Sequence, residues 1–193
     1  DTYTFILDDI NKAIELLENT DIERKDKRYV GLDVAYGIRA RINLVMNNWQ
    51  DAYNDAVDAI NASDSKVMSI NEAGKPAFID INEKSWMWGV LITDKDRVAT
   101  TGICNFPSHM GSFNYGYASV GAWRLINKKL FAAIPETDVR RNWFLDAECN
   151  SATLTKAQLD YVKNSAKCPA YTQVKYAAMG DEMGTDNNSS DVP

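Results

Sequence analysis

The run Phe113-Asn114-Tyr115-Gly116-Tyr117 places three aromatic rings and an amide within a few consecutive residues. Flat rings stack on the apolar face of a sugar, while amides, hydroxyls and carboxylates reach its hydroxyl rim. In an extended conformation Phe113, Tyr115 and Tyr117 share one side and Asn114 faces the other. Phe106 and His109 stand nearby, and Gly111, Gly116 and Gly121 suit a loop that must turn sharply. Trp86 is a further ring of the same kind. The candidate ligand-contacting residues are therefore Trp86, Phe106, His109, Phe113, Asn114, Tyr115 and Tyr117. The competing role for each ring is structural, pinning an irregular segment to the helices beneath it.

Catalytic chemistry finds less support. Carboxylates are plentiful, as Asp8/Asp9, Asp55/Asp58, Asp94/Asp96 and Asp146/Glu148. A glycosidase needs two of them facing across a cleft, which spacing does not establish. Asp55 and Asp58 are expected on the solvated side of a helix, and Asp94 and Asp96 in a charged turn with Lys95 and Arg97. His109, the single histidine, has no nucleophile elbow near it. No glycine-rich phosphate loop is present, and Asp94-Lys95-Asp96 is too short to specify calcium. Cys104, Cys149 and Cys168 are too widely spaced for zinc. Three buried thiols are one reading, and a Cys149–Cys168 pair across a hairpin is another. The expectation is a binding protein without catalysis, cofactor or metal.

Size and charge are consistent with that. A chain of 193 residues can bury a core without metals or disulfides. Its formal charge of −6 argues against nucleic acid and against electrostatic docking on anionic lipid. No apolar run approaches the roughly 20 residues of a membrane-spanning helix. There is no signal peptide, and the chain opens at Asp1 immediately before a helix, as expected of a piece of something longer.

Helices must position these rings. Ile6, Ile10, Ala13, Ile14 and Leu17 form one stripe of a first amphipathic helix, and the charged stretch Thr20 to Arg28 forms a loop. Leu32, Ala35, Ile38, Ile42, Val45 and Met46 mark a second helix, Asn47-Asn48 a turn, and Trp49, Ala52, Tyr53, Ala56, Val57 and Ile60 a third. Alanines at Ala52, Ala56 and Ala59 let the second and third pack closely, as in tetratricopeptide hairpins. Burying such stripes stabilises by roughly 1.5–3 kcal/mol per large side chain, which helices this short need. Short strands are expected at Ala77–Ile81 and Trp86–Ile92. From Thr93 to Ala122 no helical period exists, a length of irregular chain more often functional than incidental. Helix returns at Ala122 to Ala133, stops at Pro135, and resumes after Thr137-Asp138; Thr155 is a plausible N-cap for Lys156 to Asn164. Gly180 to Pro193 reads as a mobile tail.

The order of these motifs resembles the SusD/RagB family of outer-membrane nutrient-binding lipoproteins of Bacteroidetes. The likeness rests on the helix Phe5 to Leu17, on Ala40-Arg41-Ile42-Asn43-Leu44 through Asn48-Trp49-Gln50-Asp51-Ala52 to Ile60, on Glu83-x-x-Trp86-Met87-Trp88-Gly89, and on Arg124 to Leu130 leading into Pro135-Glu136-Thr137-Asp138-Val139-Arg140-Arg141. Lys175-Tyr176 and Asp191-Val192-Pro193 also resemble that family's later segments. The resemblance implies an all-α fold of tetratricopeptide-like hairpins bearing a long irregular, aromatic-rich insertion and minor short strands. Within one incomplete domain spanning 1–193, residues 1–61 would form helices and hairpin, 62–121 the ligand-facing insertion, 122–179 a helical part and 180–193 the tail. It implies non-enzymatic glycan binding, delivery to a TonB-dependent SusC-like transporter, and attachment to the cell outer membrane through an N-terminal lipid anchor that this chain lacks. The chain would then be an internal fragment, without one wall of the binding site and without the helices that complete the array. Trp88 resembles framework, Trp49, Trp123 and Trp143 fall on helical stripes, and Arg124, Asp138, Arg140 and Arg141 resemble framework charges in a partly buried salt-bridge cluster. The alternative is a peptide- or protein-binding helical scaffold.

Overall fold

The computed structural model describes residues 2–78, 80–91, 93, 111–113, 123–176 and 183. Its regular structure is helical: α1 (Thr2–Glu18), α2 (Leu32–Val45), α3 (Trp49–Ala62), α4 (Ile70–Ala73), α5 (Lys128–Ala133) and α6 (Lys156–Asp160). A 3-10 turn spans Val139–Trp143, and α6 runs on into a π turn over Tyr161–Ser165. Among the described residues the strand expected over Ala77–Ile81 reduces to the isolated bridge of Ala77 with Tyr176, and further isolated bridges, where no strand was expected, pair Leu125 with Thr172 and Phe144 with Gln173. Contacts divide the chain into two compact units, Asp1–Val67 with Lys84–Val90, and Met68–Glu83 with Leu91–Val192.

The first unit is the predicted set of three long helices. Along α1 the inward residues are Leu7, Ile10, Ala13, Ile14 and Leu17, with Ile14 buried and Ile6 at the exposed edge. The turn between α2 and α3 forms where expected. Asn47 adopts φ 62°, a left-handed conformation that asparagine tolerates. Ala35, Ala52 and Ala59 are buried between α2 and α3, as the alanine spacing requires. One expectation fails here. Trp49, Tyr53 and Ile60 are 63%, 65% and 70% exposed. Close approach of the helices over small residues turns the large ones of α3 onto its flank. Asp55, expected in water, occupies the inner face and is buried.

The strand expected over Trp86–Ile92 does not form among its described residues either. The Lys66 amide donates to the Lys84 carbonyl at 2.8 Å, and Ser65 Oγ donates to the Trp86 carbonyl at 2.6 Å. The Gly89 amide donates to Lys27 O at 3.1 Å. These bonds hold residues 84–89 against residues 65–66 on one hand and the 24–28 loop on the other, so their side chains do not alternate between two faces.

In the second unit the expected helical stretch 122–179 is partly extended. Its spine is the segment 171–176, bonded to chain on both sides. Ile126 N donates to Tyr171 O at 3.0 Å and Gln173 N to Arg124 O at 2.8 Å; Leu145 N donates to Thr172 O at 2.9 Å and Val174 N to Trp143 O at 2.7 Å. Ala77 N adds a bond to Lys175 O at 2.9 Å. Phe78 takes φ 63°, which interrupts the strand expected over Ala77–Ile81. Helix α5 begins at Lys128 and not at Ala122, because the Asn127 side chain caps it by accepting from the Lys129 amide. The Thr155 cap forms as predicted and is reinforced by Gln158 in a capping box. A second capping box, Ser69 with Glu72, starts the one-turn α4.

Phe113, Leu145, Val162, Ala166, Cys168 and Val174 form the core of this unit. Trp123, Leu154, Leu159 and Met183 pack against it, so Met183, in the stretch expected to be a mobile tail, is partly buried. Cys149 and Cys168 are both free thiols, without the bond between them that one reading of the spacing entertained. Cys104 and the rest of the tail lie outside the described residues.

Candidate functional site

Five of the seven sequence-predicted ligand residues, Phe106, His109, Asn114, Tyr115 and Tyr117, lie outside the described residues. The other two are interior. Phe113 is fully buried, with its ring 6.5 Å from that of Tyr161, and Trp86 is 5% exposed. A ring enclosed on both faces offers no surface to a sugar, so in this conformation both fill the pinning role. Phe113 is further fixed by its neighbour, since Ser112 Oγ donates to the Gln173 carbonyl. Trp88, expected in the core, is 45% exposed instead. Trp86 and Trp88 would share a side only in a strand, and the chain here is a turn.

Two polar arrangements in the first unit went unnoticed in the sequence. Between α1, α2 and α3 lies a cleft of about 380 Å³, lined by residues including Asn11, Arg39, Asn43, Asn48, Asn54 and Asp55. At its floor Arg39 chelates Asp55, with Nη2 to Oδ1 at 2.6 Å and Nε to Oδ2 at 3.1 Å. Asn43 Nδ2 donates to Asp55 Oδ2 at 2.9 Å, and Arg39 Nη1 donates to Asn11 Oδ1 at 2.8 Å. The bond to Asp55 raises the Arg39 pKa above its ordinary value, which keeps the guanidinium charged. The phenol of Tyr36, beside Arg39, donates to Glu18, and that bond pushes it up to about 12. A carboxylate with this many donors is a keystone of the helix packing and has little left to offer a ligand. The signal that could have revealed it was an acid within the buried stripe Ala52, Asp55, Ala59, facing Arg39 and Asn43 one helical turn apart on α2.

The second arrangement is a groove of about 1040 Å³, lined by residues of the end of α1, the following loop and the start of α2. Leu16, Asn19, Thr20, Glu23, Lys25 and Tyr29 are among the residues that border it. Arg24 and Asp33 lie at its base, with Nη2 to Oδ2 at 3.0 Å and the Asp33 side chain only 5% exposed. Arg24 Nη1 also donates to the Met87 carbonyl at 3.0 Å. A side chain at Gly31 would push on this pair, since a Cβ there would stand 2.7 Å from Asp33 Oδ1 and 3.1 Å from Arg24. Next to it Asp26 accepts from Arg28 Nη2 at 2.7 Å, and these hydrogen bonds hold its carboxyl down at about 2. The groove therefore combines one open ring, Tyr29, with amide, hydroxyl, carboxylate and ammonium groups on its rim.

The same architecture occurs in a protein of known structure. The chain superposes on a SusD-like carbohydrate binding protein from Bacteroides vulgatus ATCC 8482 with a TM-score of 0.64 and 17% sequence identity. The fold is SusD-like. The match covers 98% of this chain and 35% of that one, so the chain spans about a third of the length of that protein. No protein-family model matches the chain, and no curated protein matches it either.

Several residues expected to belong to the framework have definite partners. Asp138 and Arg140 pair at 2.5 Å, but at the surface, with the arginine side chain 66% exposed. Arg141 joins no salt bridge among the described residues. It donates to the Phe131 and Ile134 carbonyls at 2.9 and 3.0 Å, closing the end of α5, and its guanidinium lies 4.1 Å from the centre of the Phe131 ring. Lys175 Nζ sits 4.5 Å from the Trp143 ring and 4.8 Å from the Phe78 ring, and burial lowers its pKa. The Trp143 indole N–H donates to Ala73 O at 2.5 Å. These groups tie loops together. Among the described residues no group of His, Cys, Asp and Glu could hold a metal ion, and no helix is long and apolar enough to cross a membrane.

Proposed function

We propose that the chain belongs to a non-enzymatic glycan-binding protein of the bacterial outer membrane, lipid-anchored, which delivers its cargo to a TonB-dependent SusC-like transporter. The observation that carries this reading is the fold shared over nearly the whole chain with a SusD-like carbohydrate binding protein. The ring-and-amide run Phe113 to Tyr117 supports it chemically. With Phe113 anchored in the core, Asn114, Tyr115 and Tyr117 are the residues of that run proposed to meet sugar, together with Phe106 and His109.

Titration of the chain against a panel of purified polysaccharides tests this. Binding is expected to at least one of them, and Tyr115→Ala combined with Tyr117→Ala is expected to weaken it roughly 25- to 100-fold, the scale of two lost stacking contacts. Absence of binding to every polysaccharide would count against the reading. A peptide- or protein-binding scaffold is favoured by a different feature, the groove of about 530 Å³ lined by residues including Leu44, Trp49, Tyr53, Ile60 and Met87. Capture of the transporter in pull-downs, with indifference to every sugar, would select that alternative.

A further inference from the structure

Trp88 and Tyr29 are exposed rings mounted on tightly bonded backbone, at 45% and 49% exposure. Burying a ring of this size stabilises by roughly 1.5–3 kcal/mol, which a ligand stacked on these two would recover. The support is specific. The Trp88 indole N–H donates to the Arg28 carbonyl at 3.1 Å, and the next amide, Gly89, donates to the Lys27 carbonyl at 3.1 Å. Trp88 thereby spends its polar atom on the protein, and what it presents to solvent is apolar ring. Tyr29 directly follows Arg28, whose side chain is clamped to Asp26 and lies 5.7 Å from the centre of the Tyr29 ring. Rings held this way lose little conformational entropy when a flat partner stacks on them.

Tyr29 also borders the groove whose rim carries Asn19, Thr20 and Glu23. An apolar platform beside a row of amide, hydroxyl and carboxylate groups is complementary to a pyranose, which has an apolar face and a polar edge. We propose that Trp88 and Tyr29 form a saccharide-binding ledge, with a pyranose of an oligosaccharide stacked on the rings and its hydroxyls directed to the groove. The class of ligand rests on the glycan-binding reading above; the residues do not, since none of them belongs to the aromatic loop.

Calorimetric titration of the whole chain with maltohexaose, cellohexaose, xylohexaose and mannohexaose tests the ledge. Trp88→Ala and Tyr29→Ala are each expected to weaken the best-bound sugar roughly five- to tenfold, the scale of one aromatic contact. Trp88→Phe, which keeps a ring, is expected to lose less. If Trp88→Ala unfolds by circular dichroism, Tyr29→Ala and the Trp88 indole resonance in a nitrogen–proton NMR titration carry the test. That resonance, identified by its disappearance in Trp88→Phe, is expected to shift as sugar is added. Binding that is abolished by the Tyr115 and Tyr117 substitutions, unchanged in Tyr29→Ala and silent at the Trp88 indole would overturn the ledge and leave the glycan-binding reading standing. No binding of any of the four sugars would overturn both.

Discussion

In the first unit the buried contacts run along three helices and are locked by charged side chains, Arg39 with Asp55 and Arg24 with Asp33. In the second they converge on one extended segment, 171–176, with an apolar core of Phe113, Leu145, Val162, Ala166, Cys168 and Val174. The contrast shows two ways to hold a short chain together. Helices packed over alanine bury little apolar area per residue, and polar keystones then select one register. Chain without helical period needs a dense core, because backbone bonds between distant segments form only once those segments are already brought together.

The largest expected effect lies in the second unit. Leu145 is fully buried, and Leu145→Ala is expected to cost about 3 kcal/mol or more by loss of burial and the cavity left behind. Hydrogen exchange should localise the damage, with faster exchange at the Leu145 and Val174 amides and little change in α2 and α3. Equal acceleration in both units would erase the distinction between them.

The first unit is expected to be most sensitive at a charge. Asp55→Ala strands Arg39 and Asn43, and breaking a pair this buried costs on the order of 3 kcal/mol, less whatever water reaches the arginine, whose side chain is 22% exposed. A double-mutant cycle with Arg39→Ala, followed by urea unfolding, measures the coupling. A coupling below about 0.5 kcal/mol, as for a surface pair, would mean that the alanine seam alone sets the packing.

A smaller effect sharpens the comparison through pH. Burial pushes the Cys168 thiol up from 9.0 to about 11. Between those values the unfolded chain has released this proton and the folded one retains it, so stability is complete below pH 9 and falls as pH rises toward 11. The loss is on the order of 2 kcal/mol. Cys168→Ala should flatten the decline between pH 9 and 10. Slope that persists above pH 10 belongs to Tyr36 and Tyr161, both raised in the folded chain, opposed by Lys175, which burial lowers. An undiminished slope in Cys168→Ala would show that the core admits water to this thiol.

What was legible in the sequence follows the range of the interactions. The helices α1, α2 and α3, the Asn47 turn and the Thr155 cap depend on neighbours within a turn or two, and apolar spacing and capping residues report them. The same spacing misplaced Trp49, Tyr53 and Asp55, since it marks a stripe without saying which edge the next helix covers. For the candidate site the shortfall was greater. Reading Trp86–Ile92 as a strand put Trp86 and Trp88 on one side, and the family likeness set Trp88 in the core; the turn separates the two rings, enclosing Trp86 and leaving Trp88 exposed. Arg24 and Arg28 looked like part of a charged loop, and Tyr29 and Asp33 drew no notice, because the carbonyl of Met87 and the indole of Trp88 that define their surroundings lie about 60 residues further on.

The amino-acid order by itself determined the helical class, the close α2–α3 hairpin and a supply of rings and amides suited to sugar, since each depends on residue type and short-range periodicity. Only the tertiary structure decided which rings are enclosed and which stand in water. That choice depends on hydrogen bonds such as those from Trp88 to Arg28 and from Ser112 to Gln173, between partners far apart in the chain, and local pattern contains no record of them.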